Sequence, residues 1–214
     1  MPRFQRLVMC QRIGWRLAAI LLGLVMLGPR AAVADTRAID SDHSTITVRV
    51  YKSGLFRAFA DNHVVQAAVT RGTLDDGPAS HVEFAIDASR LRVLDPGLSS
   101  DDRSQVQRRM LGAEVLDVQR YPEIRFHSTS VERRAPDAWV VRGPLTLHGQ
   151  AHEVTVTVTP AQGSYHATVK LRQTDFGITP ISIAGGAVSV KDEVQIDADI
   201  VVAPTASGTP TANR

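Results

Sequence analysis

Eight stretches of this sequence alternate apolar and polar side chains with a period of two, and no other feature limits the fold as tightly. Successive side chains of a strand point to opposite faces, so each stretch reads as a strand with one core face and one wet face. STITVRVY sets Ile46, Val48 and Val50 in phase, HVVQAAVTRGTL sets Val65, Ala67 and Val69, and HVEFAID sets Val82, Phe84 and Ile86. YPEIRFHSTSV opens on a proline, which a strand tolerates at its first residue, and pairs Ile124 with Phe126. AWVVRGPLTL brings Leu145 and Leu147, and HEVTVTVT brings Val154, Val156 and Val158. SYHATVKLRQTDF adds Tyr165, Ala167, Val169 and Leu171, and EVQIDADIVV closes with Val194, Ile196, Ala198, Ile200 and Val202.

One segment has a different period. In LSSDDRSQVQRRMLGAEVL, Ser99 can cap a helix with Asp102 three residues on, and acids fall in the first turn. Val106 and Met110 sit four apart, and Gly112 supplies a stop. Eight antiparallel strands can hide their apolar faces by stacking as a sandwich or by closing into a barrel. Closure removes exposed edges, and eight strands leave room for side chains or one small ligand. The expectation is an all-β chain: an eight-stranded antiparallel barrel with one short helix between its third and fourth strands.

Residues 1–34 read as a secretory signal peptide. Arg3, Arg6, Arg12 and Arg16 precede the apolar run LAAILLGLVMLG, which is too short to span a bilayer, and Ala32 and Ala34 supply small residues for cleavage after Ala34. The expected destination is the periplasm. These residues hold five arginines and no acid, so removing them turns a net charge of +2 into −3. The basic character belongs to the leader, and nucleic acid is not an expected partner. Cys10, the single cysteine, leaves with it. About 180 residues remain, enough for one core without disulfides. The domain is expected over 35–203, and the tail from 204 to 214 lacks large apolar residues and reads as disordered.

Seven histidines invite a metal reading. In LTLHGQAHEVTVTV, a hairpin turn at Gly149 and Gln150 would place His148 on the outer face with Thr146 and His152 on the inner face with Val154. The two imidazoles then point apart, which disfavours a shared metal. Parity sends His43, His81, His127 and His166 outward and leaves His63 and His152 at the ends of apolar faces. No nucleophile elbow, phosphate-cradling glycine loop or HExxH motif is present, so no catalytic residue, metal or cofactor is assigned. Asp61 beside His63 is the one acid–base cluster worth keeping, and it carries the alternative of a periplasmic hydrolase or metal-dependent enzyme. A barrel filled by its own side chains, serving as an interaction module, is a third reading.

HSTITVRV, MLGAEVLDVQRYPEIRFHS, GPLTLHGQAHEVTV, TDFGI and VKDEVQIDADI follow one another in the order found in the YceI-like family, which this chain resembles over most of Asp40 to Val202. The resemblance implies a lipocalin-like barrel that binds a polyisoprenoid or similar long-chain amphiphile without catalysis. The sequence departs from the family at YKSGLFRAFADNHVV, where many relatives carry a glycine-containing GxFxxFxG strand. The implied partner is an isoprenoid or other long-chain lipid, and a transient inner-membrane contact and a homodimer are both compatible with it.

An aliphatic lumen offers burial and no directional chemistry. At about 0.8 kcal/mol per methylene, a five-carbon prenyl unit gains roughly 3–4 kcal/mol gross on leaving water. The expected lining comes from Val48, Val50, Val65, Phe84 and Ile86, then Met110, Phe126, Leu145 and Leu147. Val154, Val156, Tyr165, Val169 and Phe176 complete it. His63, His152 and Tyr165 are the expected contacts for a polar headgroup.

Overall fold

The computed structural model describes residues 36–53, 62–75, 77, 80–183, 185 and 187–204. The expected leader, Asp61 and nearly all of the expected tail lie outside the described residues. In chain order the strands are β1 (Arg37–Ala38), β2 (Thr45–Ser53), β3 (His63–Ala67), β4 (Arg71–Asp75), β5 (His81–Asp87) and β6 (Arg92–Val93). After the helix α1 (Ser100–Leu111) come β7 (Glu123–His127), β8 (Ser130–Ala135), β9 (Ala138–Leu147) and β10 (Gln150–Ala161). β11 (Ser164–Arg172), β12 (Ser182–Ile183) and β13 (Val188–Val201) follow. All pair antiparallel in one curled sheet.

Among the described residues the sheet therefore has thirteen strands where eight were expected. Two of the expected strands are interrupted, and three two-residue pieces outside the expected strands, β1, β6 and β12, are added. Between β1 and β2 the Asp40 carboxylate accepts the N–H groups of Asp42 and His43 and folds the chain into a turn. Between β3 and β4 the chain bends at Val69, which is 1% exposed. Between β7 and β8, Ser128 leaves the ladder with β9, and its hydroxyl takes the N–H of Val82. Such breaks relieve the coil that a closed sheet imposes, and period-two alternation runs straight through the last two.

The order β4-β5-β7-β9-β10-β11-β13 leads from one flank of the sheet to the other, and β1 joins the two. β1 pairs with β4, while Ile39 bridges Val202. The Asp40 N–H donates to Val201 O, and the Ala203 N–H donates to Ala38 O, each at 2.8 Å. The circuit of pairing is complete, and the apolar face turns inward. Ile46, Val65, Ile86, Phe126, Val141, Val154, Leu171 and Val194 are buried on it.

The helix forms where its caps predict. Ser99 Oγ accepts the Asp102 N–H at 3.1 Å, and Gly112 ends it. No residue of α1 is fully buried. It is tied to the sheet by Gln107, whose side chain takes the Val93 N–H and donates to Leu91 O, each at 2.8 Å.

The β9–β10 turn differs from expectation. Leu147 pairs with Gln150 and Leu145 with His152, so the two-residue turn is His148–Gly149. Both take positive φ, 50° and 74°, as a two-residue hairpin of the favoured twist requires. The register shifts by two, so His152 still shares a face with Leu145. His148 leaves both faces; its Nδ1 lies 3.1 Å from Phe176 O, and its ring meets Tyr121 edge-on.

Candidate functional site

The inner face encloses a cavity of about 300 Å³. That is at the small end of ligand sites, which run from about 300 to 1,000 Å³. Alternation builds most of its wall: alternate residues along the middle of β2, β9, β10, β11 and β13 project into it, and the intervening threonines and charges face out. Of the residues expected to line it, Val48, Val50, Val65, Phe84, Ile86, Met110 and Phe126 do so, as do Leu145, Leu147, Val154, Val156, Tyr165, Val169 and Phe176. His63 and His152 do not line it. Phe84 and Phe126 face each other across β5 and β7 with ring centroids 5.5 Å apart.

The cavity has two unlike ends. At one, Phe176 is 1% and Ile178 4% exposed, and Leu171, Val154 and Val194 are buried around them. Asp192 fastens this end: its carboxylate accepts the Thr174 N–H and Oγ1–H at 2.9 and 2.8 Å, pinning the tight turn Gln173–Phe176. Those bonds, the backbone one foremost, hold Asp192 below the usual carboxylate range. The helix side contributes Met110, Val115 and Leu116.

The Phe176 end also has Arg172 and Gln173 on its lining, while the opposite end carries Asp75, Ser80, His81 and Tyr165. Tyr165 and Trp139 are half-buried there, with rings edge-to-face at 6.0 Å. The Arg133 guanidinium lies over Trp139 at 5.7 Å from the ring centre. Arg37 pairs with Leu74, a cavity residue, and directly opposed residues share a face. Its Nη2 donates to Tyr165 Oη at 2.9 Å. Asp75, Ser80 and His81 reach the same end from β4 and β5. The Asp75 carboxylate accepts the Gly77 N–H at 2.8 Å, and His81 Nδ1 lies 3.1 Å from Ser128 Oγ.

The three residues expected to meet a headgroup are not together. Tyr165 stands opposite Pro160, eight residues along β10 from His152, which is about 26 Å at the rise of a strand. His152, itself exposed, packs edge-on against Phe176. His63 stands opposite Val50, also toward the Phe176 end, and meets an acid other than Asp61. Its Nδ1 is 2.6 Å from Asp95 Oδ2, while Asp95 Oδ1 accepts the Val64 N–H at 2.7 Å. Asp95 is 3% exposed. The pair fixes the loop ahead of α1 to β3, since the Leu94 N–H also donates to Val64 O.

Asp95 was missed because VLDPG reads as a solvated turn. Arg37 was missed because it lies just past the expected cleavage point, although it alternates with Ile39 and so carries an inward-parity signal. Asp197, by contrast, stands on the outer face of β13. Burial pushes its carboxyl up, but hydrogen bonds from Gln195 and Thr168 and the charge of Arg49 outweigh this and hold it below the usual range. Among the described residues, no three histidine, cysteine or acidic side chains converge as metal ligands would.

A model of the YceI-like domain matches residues 38–202. A UPF0312 protein of Pseudomonas putida strain W619 is 25% identical over 179 residues, 75% of this chain and 85% of that protein. Another from Azotobacter vinelandii strain DJ is 26% identical over 178 residues, 76% of this chain and 86% of its own. Among solved structures, Burkholderia cenocepacia BcnA aligns at TM-score 0.57 and 21% identity, covering 78% of this chain and 99% of BcnA. A polyisoprenoid binding domain from Saccharophagus degradans, implicated in plant cell wall breakdown, aligns at 0.53 and 13%, covering 80% and 99%. At these identities the structural likeness speaks to the fold.

Proposed function

The chain belongs to the YceI-like domain family, and from that premise we propose that it binds a long-chain lipid, a polyisoprenoid or similar amphiphile, in the barrel lumen. The observation that carries the reading is an unfilled cavity of about 300 Å³ walled almost wholly by aliphatic and aromatic side chains. Such a wall accepts an apolar chain through burial. The polyisoprenoid binding described for the Saccharophagus degradans domain is in keeping with this. Two or three buried prenyl units would reach about micromolar affinity after association and ordering costs. The protein then acts as a carrier or scavenger without catalysis, and the arginine-flanked apolar N-terminus supports its export to the periplasm.

The test is extraction of natively purified protein into organic solvent and mass spectrometry of the extract. A single lipid class near one equivalent per chain is the expected result. Lipid-free extracts from independent preparations would overturn the reading. Intact mass of the exported protein checks cleavage after Ala34.

A further inference from the structure

The two ends of the cavity give a bound lipid a direction. Resting on the lipid reading, we propose that the mouth formed by Arg37, Trp139 and Tyr165 holds an anionic headgroup, a phosphate or carboxylate, while the chain runs inward to Phe176. Tyr165 and Leu171 both line the cavity six residues apart on β11, so the path from mouth to closed end is about 20 Å. Around Phe176 and Ile178 the buried part of the wall is apolar, and an ionised group seated against it would lose its hydration without a partner. Gln173 and Arg172 also line this end, but the Gln173 amide is committed to Lys191 O at 2.8 Å, and Arg172 is exposed.

At the mouth the balance reverses. Arg37 is on the inward face by its register with Leu74, half-buried, and already directed at a cavity hydroxyl. A guanidinium fork matches the paired oxygens of a carboxylate or phosphate and keeps its charge at any physiological pH. A phenol that accepts a hydrogen bond from a guanidinium becomes a better donor through its own O–H. The Arg133 cation behind Trp139 adds to the positive field. The one carboxylate lining this end, Asp75, is turned to the hairpin backbone at Gly77.

Displacement of N-phenyl-1-naphthylamine from the full chain, read by fluorescence, compares decyl phosphate with decanol. Wild type is expected to prefer the phosphate by about tenfold or more, the scale of one charge-assisted hydrogen bond. Arg37→Gln and Tyr165→Phe are each expected to cut that ratio to about threefold or less. Salt should lower the wild-type ratio, because a charge at a solvated mouth is screened. A salt-independent ratio overturns the proposal without recourse to any variant. So does a ratio that responds to Arg172→Gln and not to Arg37→Gln, which would mean the ligand lies the other way round. Inorganic phosphate should not displace the probe; if it competes with decyl phosphate, the mouth is a free-anion site and the headgroup assignment fails. If the two decyl ligands bind equally, the headgroup proposal falls and the lipid reading stands. If neither ligand nor the probe binds, both fall.

Discussion

At Gly149 two constraints coincide. Its φ of +74° lies where only glycine is unstrained, and a Cβ built there would stand 2.4 Å from the Tyr121 ring. Gly149→Ala should therefore destabilise the fold by about 1–3 kcal/mol, read as a lower urea midpoint with an unchanged slope. HG was visible in the sequence as a turn, but GQ was an equally good reading, and only the positive φ at both His148 and Gly149 separates them. The His63–Asp95 pair was less legible still. The residues are 32 apart, and proximity in the chain favoured Asp61. A buried carboxylate needs partners wherever they come from, and β3 supplies two, the imidazole and the Val64 N–H.

Among the elements, α1 was fully readable, because its caps and stop are local chemistry. The strands were readable as faces but not as units. Alternation ignores a break such as the one at Ser128, and the hydrogen bonds that hold it depend on where Val82 of β5 runs. The turn Gln173–Phe176 is a tertiary product too: Asp192, in the bulged stretch of β13 between Val190 and Val194, supplies its anchor. Its folded-state pKa lies below its unfolded value, so its contribution is present above about pH 4 and lost as the pH falls through the lower folded value. Thermal melts should accordingly show Asp192→Asn less stable than wild type at neutral pH. The gap should close in acid, and a gap that persists at pH 2 would contradict the assignment.

Over the described residues the chain is a curled sheet around an incompletely filled space, and that space is the proposed lipid site. Filling it is the direct test. Val156→Trp, at a half-buried wall position, should leave the chain folded with its strand content intact while weakening N-phenyl-1-naphthylamine binding by about tenfold or more. Fluorescence titration beside far-ultraviolet circular dichroism checks both. The sequence by itself determined which strand residues face inward, because a strand's two faces are set by parity alone; twelve of the fourteen expected residues that line the cavity do so for that reason, Met110 and Phe176 lying on α1 and on the Gln173–Phe176 turn. It also determined the helix, whose ends are chosen by residues within one turn. The tertiary structure decided what parity cannot carry: how far each face extends before the chain bends, which acid meets His63, and which end of the lumen collects Arg37 and Tyr165. Those depend on register between strands distant in sequence, and register is set by the hydrogen-bonded closure of the whole sheet.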